Sequence, residues 1–280
     1  MTTITIIKKS GEKVNFNREK LKKSLMKSGA KTTAVENIIA EIEASLYHGI
    51  STTEIYKNAF DKLKKHARPT AARYKLKKAI MELGPTGFPF ENFVGELLKH
   101  EGFKVEIGVF VQGNCVQHEV DVVAEKEHQH FMIECKFHSS FKVNCSVKIP
   151  LYIQSRFLDI EKQWLKNPTH HHKFHQGWVV NNTRFSEDAL NYGNCVGLKL
   201  LGWDYPKNNG LKEMISKSGL YPITCLNTLS KSEKLTLLNK NVVLCKQLCD
   251  TPTVLNQIGI KPTRTKKIME DAHELCKSFL

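Results

Sequence analysis

Among the eight cysteines of this 280-residue chain there is no Cys-x-x-Cys pair, which excludes the common zinc-ribbon and dithiol redox motifs. A chain this long buries a core without covalent staples, so the cysteines are expected as reduced thiols in a cytoplasmic protein. No apolar run approaches the roughly 18 residues that cross a bilayer. The N-terminal lysines follow a very short apolar stretch that does not resemble a cleavable leader. Neither membrane insertion nor secretion is therefore expected. There is no Walker phosphate loop, and no Ser/His/Asp or Cys/His constellation in a recognisable context, which argues against P-loop ATP hydrolysis and covalent hydrolases. What is present is the composition of a chain that folds, with 41% hydrophobic and 25% charged residues. The length suits two domains, or three small ones.

Positive charge is the abundant feature. Forty-two Lys and Arg against 28 Asp and Glu leave a net +14, an excess that points to a polyanionic partner. Gly and Pro punctuation at 83–87 and 206–210 divides the chain in three. Residues 1–88 carry a net +10, residues 89–205 a net −2 and residues 206–280 a net +6. An acidic cluster between basic flanks is what a metal-dependent nuclease would show, with carboxylates for cations and flanks for phosphates. The plainer alternative is a charged surface that only keeps the chain in solution.

Residues 2–7 alternate polar and apolar, break at Ser10-Gly11 and resume at Val14 and Phe16, as a β-hairpin does. Asn17 is placed to cap a helix with Leu21, Leu25 and Met26 on one stripe, and Ile38, Ile39, Ile42 and Leu46 form a second stripe. Ser51 or Thr52 caps a third helix (Ile55, Phe60, Leu63), and Pro69 opens a fourth (Ala72, Leu76, Ile80). The strings Ile-Ile-Lys-Lys-Ser-Gly at 6–11, Phe-Asn-Arg-Glu-Lys-Leu at 16–21, Thr-Glu-Ile at 53–55 and Ala-Arg-Tyr at 72–74 fall on this frame. Together they resemble the ATP-cone, the adenine-nucleotide regulatory domain of ribonucleotide reductases and their transcriptional repressor. The resemblance covers residue 3 to about residue 83, within a first domain of residues 1–87. It implies ATP or dATP as a regulatory ligand, with Lys8 and Lys9 on the phosphates, Lys20 near the same nucleotide and Tyr74 against it. The family often has Lys-Arg where this chain has Lys8-Lys9, a change that keeps charge but loses a bidentate fork.

The second domain is expected at 88–205. A helix from Phe88 turns Phe90, Phe93, Val94, Leu97 and Leu98 inward and ends at Gly102. Three short β-branched segments follow, at 103–111, 115–124 and 130–135, in the manner of a meander. An amphipathic helix at 150–164, a strand at 177–180, a helix begun by Ser186 and a strand at 196–201 complete the order α-β-β-β-α-β-α-β. That order predicts a central mixed sheet with helices on both faces. The fold class is thus α+β / α/β multidomain: a hairpin with four helices, an α/β core, and an all-α region at 206–280.

The chemistry lies on two adjacent strands. Asp121 is expected at the end of the second strand and, thirteen residues on, Glu134-Cys135-Lys136 at the end of the third. Glu134 and Lys136 share a face and Cys135 turns away as a small core residue. Asp121, Glu134 and the Cys135 backbone carbonyl would offer Mg²⁺ (or Mn²⁺) hard oxygen ligands, and Lys136 would stabilise charge in the transition state. A plain surface pair of Glu134 with Lys136 is the simpler alternative. The D…ExK pattern behind a helix bearing Glu91, with Asn-Asn-Thr-Arg-Phe-Ser-Glu-Asp-Ala at 181–189, resembles the PD-(D/E)xK nucleases, and among them the Mrr-like restriction endonuclease branch. The resemblance implies Asp121, Glu134 and Lys136 as the catalytic core, Glu91 as a further acidic residue, and Gln154 near the site, with a weaker claim for Tyr152. Many relatives have Gln where this chain has Glu134, and Val120 replaces the motif's Pro. Glu119 is the rival to Asp121, while His118 belongs on the other face.

His170, His171, His172 and His175 crowd a loop after Pro168; a polar connection is the simplest account of them, although histidine is a common transition-metal ligand. Helical spacing returns at 211–220, 231–238 and 242–248. The passage 253–268 then joins two helices by a tight turn at Gly259, and a last helix closes through Ala272, Leu275 and Phe279. This passage resembles a helix-hairpin-helix unit lacking its usual second glycine. It implies DNA backbone contacts, supplied by Lys261, Arg264, Lys266 and Lys267. Taken together, the expectation is a Mg²⁺-dependent endonuclease acting on double-stranded or branched DNA, under adenine-nucleotide control, as a homodimer with one site per strand. A catalytically inert nucleotide-responsive DNA-binding regulator and a Holliday-junction-type resolvase are the alternatives.

Overall fold

The computed structural model describes residues 4–66 and 68–276. β1 (Thr5–Ile7) and β2 (Lys13–Asn15) pair antiparallel, and Gly11 closes the hairpin at φ +91°, a conformation that strains any other residue. Asn17 caps α1 (Arg18–Lys27) by accepting the Lys20 N–H at 2.9 Å. α2 (Thr32–Glu43) buries Val35, Ile38, Ile39 and Ile42. Ser51, not Thr52, caps α3 (Thr52–His66) by accepting the Glu54 N–H at 3.0 Å. These elements enclose one small core around Leu25, Ile39 and Leu63.

Two expectations are corrected in this segment. Met26 is 40% exposed. Leu21 and Leu25 set the buried line at i and i+4, and the next residue is turned about 100° away from it. The fourth helix is two, α4 (Arg68–Tyr74) and α5 (Leu76–Met81), which meet at Lys75. That buried lysine directs its ammonium to Glu82 at 3.1 Å and to the Thr224 carbonyl at 3.3 Å.

α6 (Phe88–His100) follows, then β3 (Lys104–Gln112), β4 (Gln117–Lys126) and β5 (Gln129–Lys136) as a meander. β6 (Asn144–Cys145), α7 (Lys148–Trp164), β7 (Phe174–Asn181), β8 (Arg184–Phe185), α8 (Glu187–Cys195) and β9 (Lys199–Leu201) complete this part. The sheet order is β3-β4-β5-β7-β9, antiparallel across the first three strands and parallel from β5 onward. α6 covers one face with the five apolar residues of its inward stripe. α7 and α8 cover the other through Ile153, Phe157, Ile160 and Ala189. The expected mixed sheet between helical layers is present. β6 and β8 add a two-residue parallel pair too short to leave a periodic signal.

α9 (Leu211–Ser218), a 3-10 turn at Ile223–Cys225, α10 (Lys231–Asn239), α11 (Cys245–Asp250), α12 (Thr253–Gln257) and α13 (Pro262–Cys276) form the remainder. The helix expected from residue 242 starts only at Cys245, because Leu244 is extended and bridges Pro222. The last two expected helices are one, α13, which carries both Ile268 and Leu275; Phe279 lies outside the described residues. Residues of α5, the α6 face of the sheet and these C-terminal helices share a single continuous core. Among the described residues no helix is long and apolar enough to cross a membrane.

Phe93 is fully buried in that shared core. Phe93→Ala is therefore expected to cost about 3–5 kcal/mol, and Met26→Ala no more than about 0.5 kcal/mol. Denaturant unfolding of the two variants beside the parent checks the contrast.

Candidate functional site

The β4–β5 ladder runs from Lys126 opposite Gln129 to Val122 opposite Ile133 and stops one step short of Asp121 and Glu134. On the other flank of β4 the ladder skips Asp121 opposite Gly108, and Gly108 has φ +62°. Alternation breaks at the same point, for Val120 packs into the α7 layer and Val122 into the α6 layer. Asp121 thus sits inside β4 at a local break in alternation, with the β3–β4 register unchanged on either side of it, a correction to its expected place at the strand end. Here the carboxylate crosses to β5 and accepts the Cys135 N–H at 2.7 Å.

Glu134 and Lys136 end β5, while the Cys135 side chain packs into the α6 core. Glu91, in the first turn of α6, faces the same charges. Burial raises its carboxyl to about 7, reinforced by the charges of Asp121, Glu134 and Glu119. Burial also raises Asp121, opposed by the Cys135 N–H and the charge of Arg156. Glu134 is raised by burial and by Asp121, against the pull of Arg156 and Lys136. Glu91, Asp121, Glu134 and Lys136 are therefore brought together. Glu119 is exposed at the margin of the group, and His118 turns instead to Asp159 on α7, 2.8 Å away.

Arg156 is the member that the sequence pattern does not single out. Its Nη1 lies 3.0 Å from Glu134 Oε2, and its guanidinium sits over the ring of the exposed Tyr152. The signal for it is positional: Arg156 borders the inward line of α7 between Ile153 and Phe157. Gln154, on the same helix, has a buried Oε1 with no hydrogen-bond partner. The three carboxylates are a hard-oxygen donor set that fits Mg²⁺ or Mn²⁺ better than any soft metal.

The other expected residues lie elsewhere. Lys8 pairs with Glu12 at 2.8 Å, Lys9 lies 5.6 Å from the centre of the Phe141 ring, and Lys20 is exposed in the first turn of α1. Tyr74 stacks on Tyr56 with ring centres 4.9 Å apart, and burial raises its hydroxyl to about 12. Lys261, Arg264, Lys266 and Lys267 are exposed around the start of α13, after a turn in which Gly259 takes φ +80°. Arg264 is engaged by Glu233 at 3.0 Å and by the Thr228 carbonyl at 2.9 Å. Lys267 lines a cavity of about 360 Å³ together with Lys64 of α3.

Comparison with known proteins defines the class first. Residues 4–78 match the ATP cone domain, and residues 221–276 match the family described as AF1548-like, C-terminal. The chain is thus an ATP-cone domain joined to a body that ends in an AF1548-like region, and the cone points to a nucleotide as regulatory ligand. An uncharacterized protein of Archaeoglobus fulgidus is 38% identical over 183 residues, covering 65% of this chain and 99% of the relative. A solved structure, described as the crystal structure of protein of unknown function AF1548, matches with a TM-score of 0.56 and 36% identity. That match covers 68% of this chain and 98% of the other. The chain belongs to the AF1548-like family.

The raised Glu91 carboxyl has a stability consequence. Its folded value, about 7, exceeds the ordinary 4.5, so the folded protein holds a proton that the unfolded chain releases, and stability falls as pH rises between these values. Glu91→Gln removes that dependence. The variant should melt with the parent near pH 4.5 and roughly 1–3 °C above it at pH 8 in chelator, as thermal melts at the two pH values will read.

Proposed function

We propose that this protein is a divalent-cation-dependent DNA endonuclease whose activity is set by ATP or dATP on the ATP-cone. The observation that carries the proposal is the convergence of Glu91, Asp121, Glu134 and Lys136 where β4 and β5 part. Asp121, Glu134 and the Cys135 carbonyl would hold Mg²⁺ or Mn²⁺, which when bound supplies an activated water and neutralises phosphate charge. Lys136 donates to the phosphoryl oxygens as negative charge develops on them. Arg156 fixes the Glu134 carboxylate through its 3.0 Å contact. The unpartnered Gln154 Oε1 orients a water, and Glu91, with its carboxyl near 7, exchanges a proton at neutral pH. This constellation is the basis of the likeness to the Mrr-like branch of the PD-(D/E)xK nucleases. Lys261, Lys266 and Lys267 add non-specific attraction for the DNA backbone. Cutting both strands calls for two copies of the site, hence a homodimer. Restriction of foreign DNA and DNA repair are the two roles such an enzyme serves.

Nucleotide control has a physical route. The Lys9 and Lys77 ammonium groups lie 5.6 and 4.7 Å from the centre of the Phe141 ring, five residues beyond Lys136 on the segment leaving β5. A nucleotide that draws Lys9 to its phosphates loosens the cone from that segment.

Supercoiled and branched DNA incubated with Mg²⁺ or Mn²⁺ should be cleaved by the parent. Asp121→Ala and Lys136→Ala should each lower the rate by at least about 100-fold. Lys9→Ala should keep cleavage while losing its response to ATP or dATP. Absence of cleavage on plain, methylated and branched DNA, with binding intact, would sink the nuclease assignment.

A further inference from the structure

A second titratable cluster lies at the opposite end of β4 and β5. Glu125 and His130 are direct cross-strand partners, and His130 in turn pairs in register with His175 of β7. The loop between α7 and β7 brings His170 over this row, its ring stacked on that of His130 with centres 4.5 Å apart. One ligand atom from each of Glu125, His130 and His170 lies within 4.8 Å of the others. His130 is 3% exposed and His175 7%, yet His130 Nδ1, His170 Nδ1 and both ring nitrogens of His175 are buried without a hydrogen-bond partner. So many unsatisfied nitrogens in one place are rare in folded proteins and call for a bound species.

We propose that Glu125, His130 and His170 form a transition-metal site of the zinc class, which clamps the α7–β7 loop onto the sheet. Two imidazoles and a carboxylate are the ligands such ions take, and three protein ligands leave a further position open. That position faces a cavity of about 280 Å³ lined also by Lys104, Glu106, Phe110 and Trp164. Trp164 stacks on His130 at 3.7 Å and fixes its ring. One Glu125 oxygen pairs with Lys173, while the other, 4.0 Å from His170 Nδ1, remains available to the ion. Lys173 thereby orients the ligating carboxylate from outside. His175, packed against His130 and Trp164, backs the site from β7. The ligand chemistry separates this site from the all-oxygen cluster at the other end of the strands.

The test uses the full chain, purified without a polyhistidine tag, stripped with chelator and titrated with Zn²⁺, Co²⁺ and Mg²⁺. Zn²⁺ should bind at one equivalent per chain and raise the melting temperature with Asp121→Ala present as well as in the parent, which separates it from the nuclease site. Co²⁺ should give the visible bands of a low-coordinate site, and Mg²⁺ should do neither in Asp121→Ala. His170→Ala, a loop change, should weaken Zn²⁺ more than about tenfold, since even outer-shell partners cost that much. Its metal-free melt should match the parent's. His130→Asn should weaken Zn²⁺ to a similar degree, and the double variant His171→Ala/His172→Ala should leave affinity unchanged. Undiminished binding by His170→Ala, loss in the His171/His172 double variant, or no Zn²⁺ on the parent overturns the proposal.

Discussion

Repulsion among carboxylates is the constraint around which this molecule is arranged. Glu91, Asp121 and Glu134 come from a helix and two strands, and each is raised by burial and by its neighbours. Like charges stay together in a poorly solvated cleft only when something offsets them. The Cys135 N–H serves Asp121, and Arg156 serves Glu134. Glu91 is left to hold its proton near neutrality. The break in alternation at Asp121 and the early end of the β4–β5 ladder leave this group together, and α6 delivers Glu91 by packing along the antiparallel half of the sheet.

Much of the frame was legible in the chain. Period-two segments became β3, β4 and β5, and inward stripes located α6 and α7, because burial of one face is a repetitive constraint that repeats in sequence. The cap at Asn17 and the start at Ser186 were equally visible. What escaped was local and non-periodic. The break at Lys75 depends on Glu82 and on a carbonyl 149 residues away. The two-residue pair β6–β8 has no period to read.

The site followed the same rule. Asp121, Glu134 and Lys136 were singled out by residue type and spacing and Glu91 by the resemblance, and the fold brings the four near one another. Asp121 was misplaced at a strand end because the strand continues past it, with only the one ladder pair opposite Gly108 on the facing strand missing. Arg156 escaped because an arginine beside an apolar stripe looks like an ordinary rim residue until its partner across the interface is known. The histidine loop looked like a polar connection, since its pairing with Glu125 and His130 is made only by the fold.

Lys75 and Lys234 share one carboxylate, Glu82, with Thr224 between them accepting from both ammonium groups. Burial, and then the charge of Lys75, pushes Lys234 down to about 8. Lys75 follows the last residue of α4 and Lys234 stands in α10, so one anion is common property of the two ends of the chain. Loss of Glu82 would leave two buried ammonium groups facing each other across the Thr224 carbonyl, so a change at that one residue bears on Lys75 and Lys234 at once.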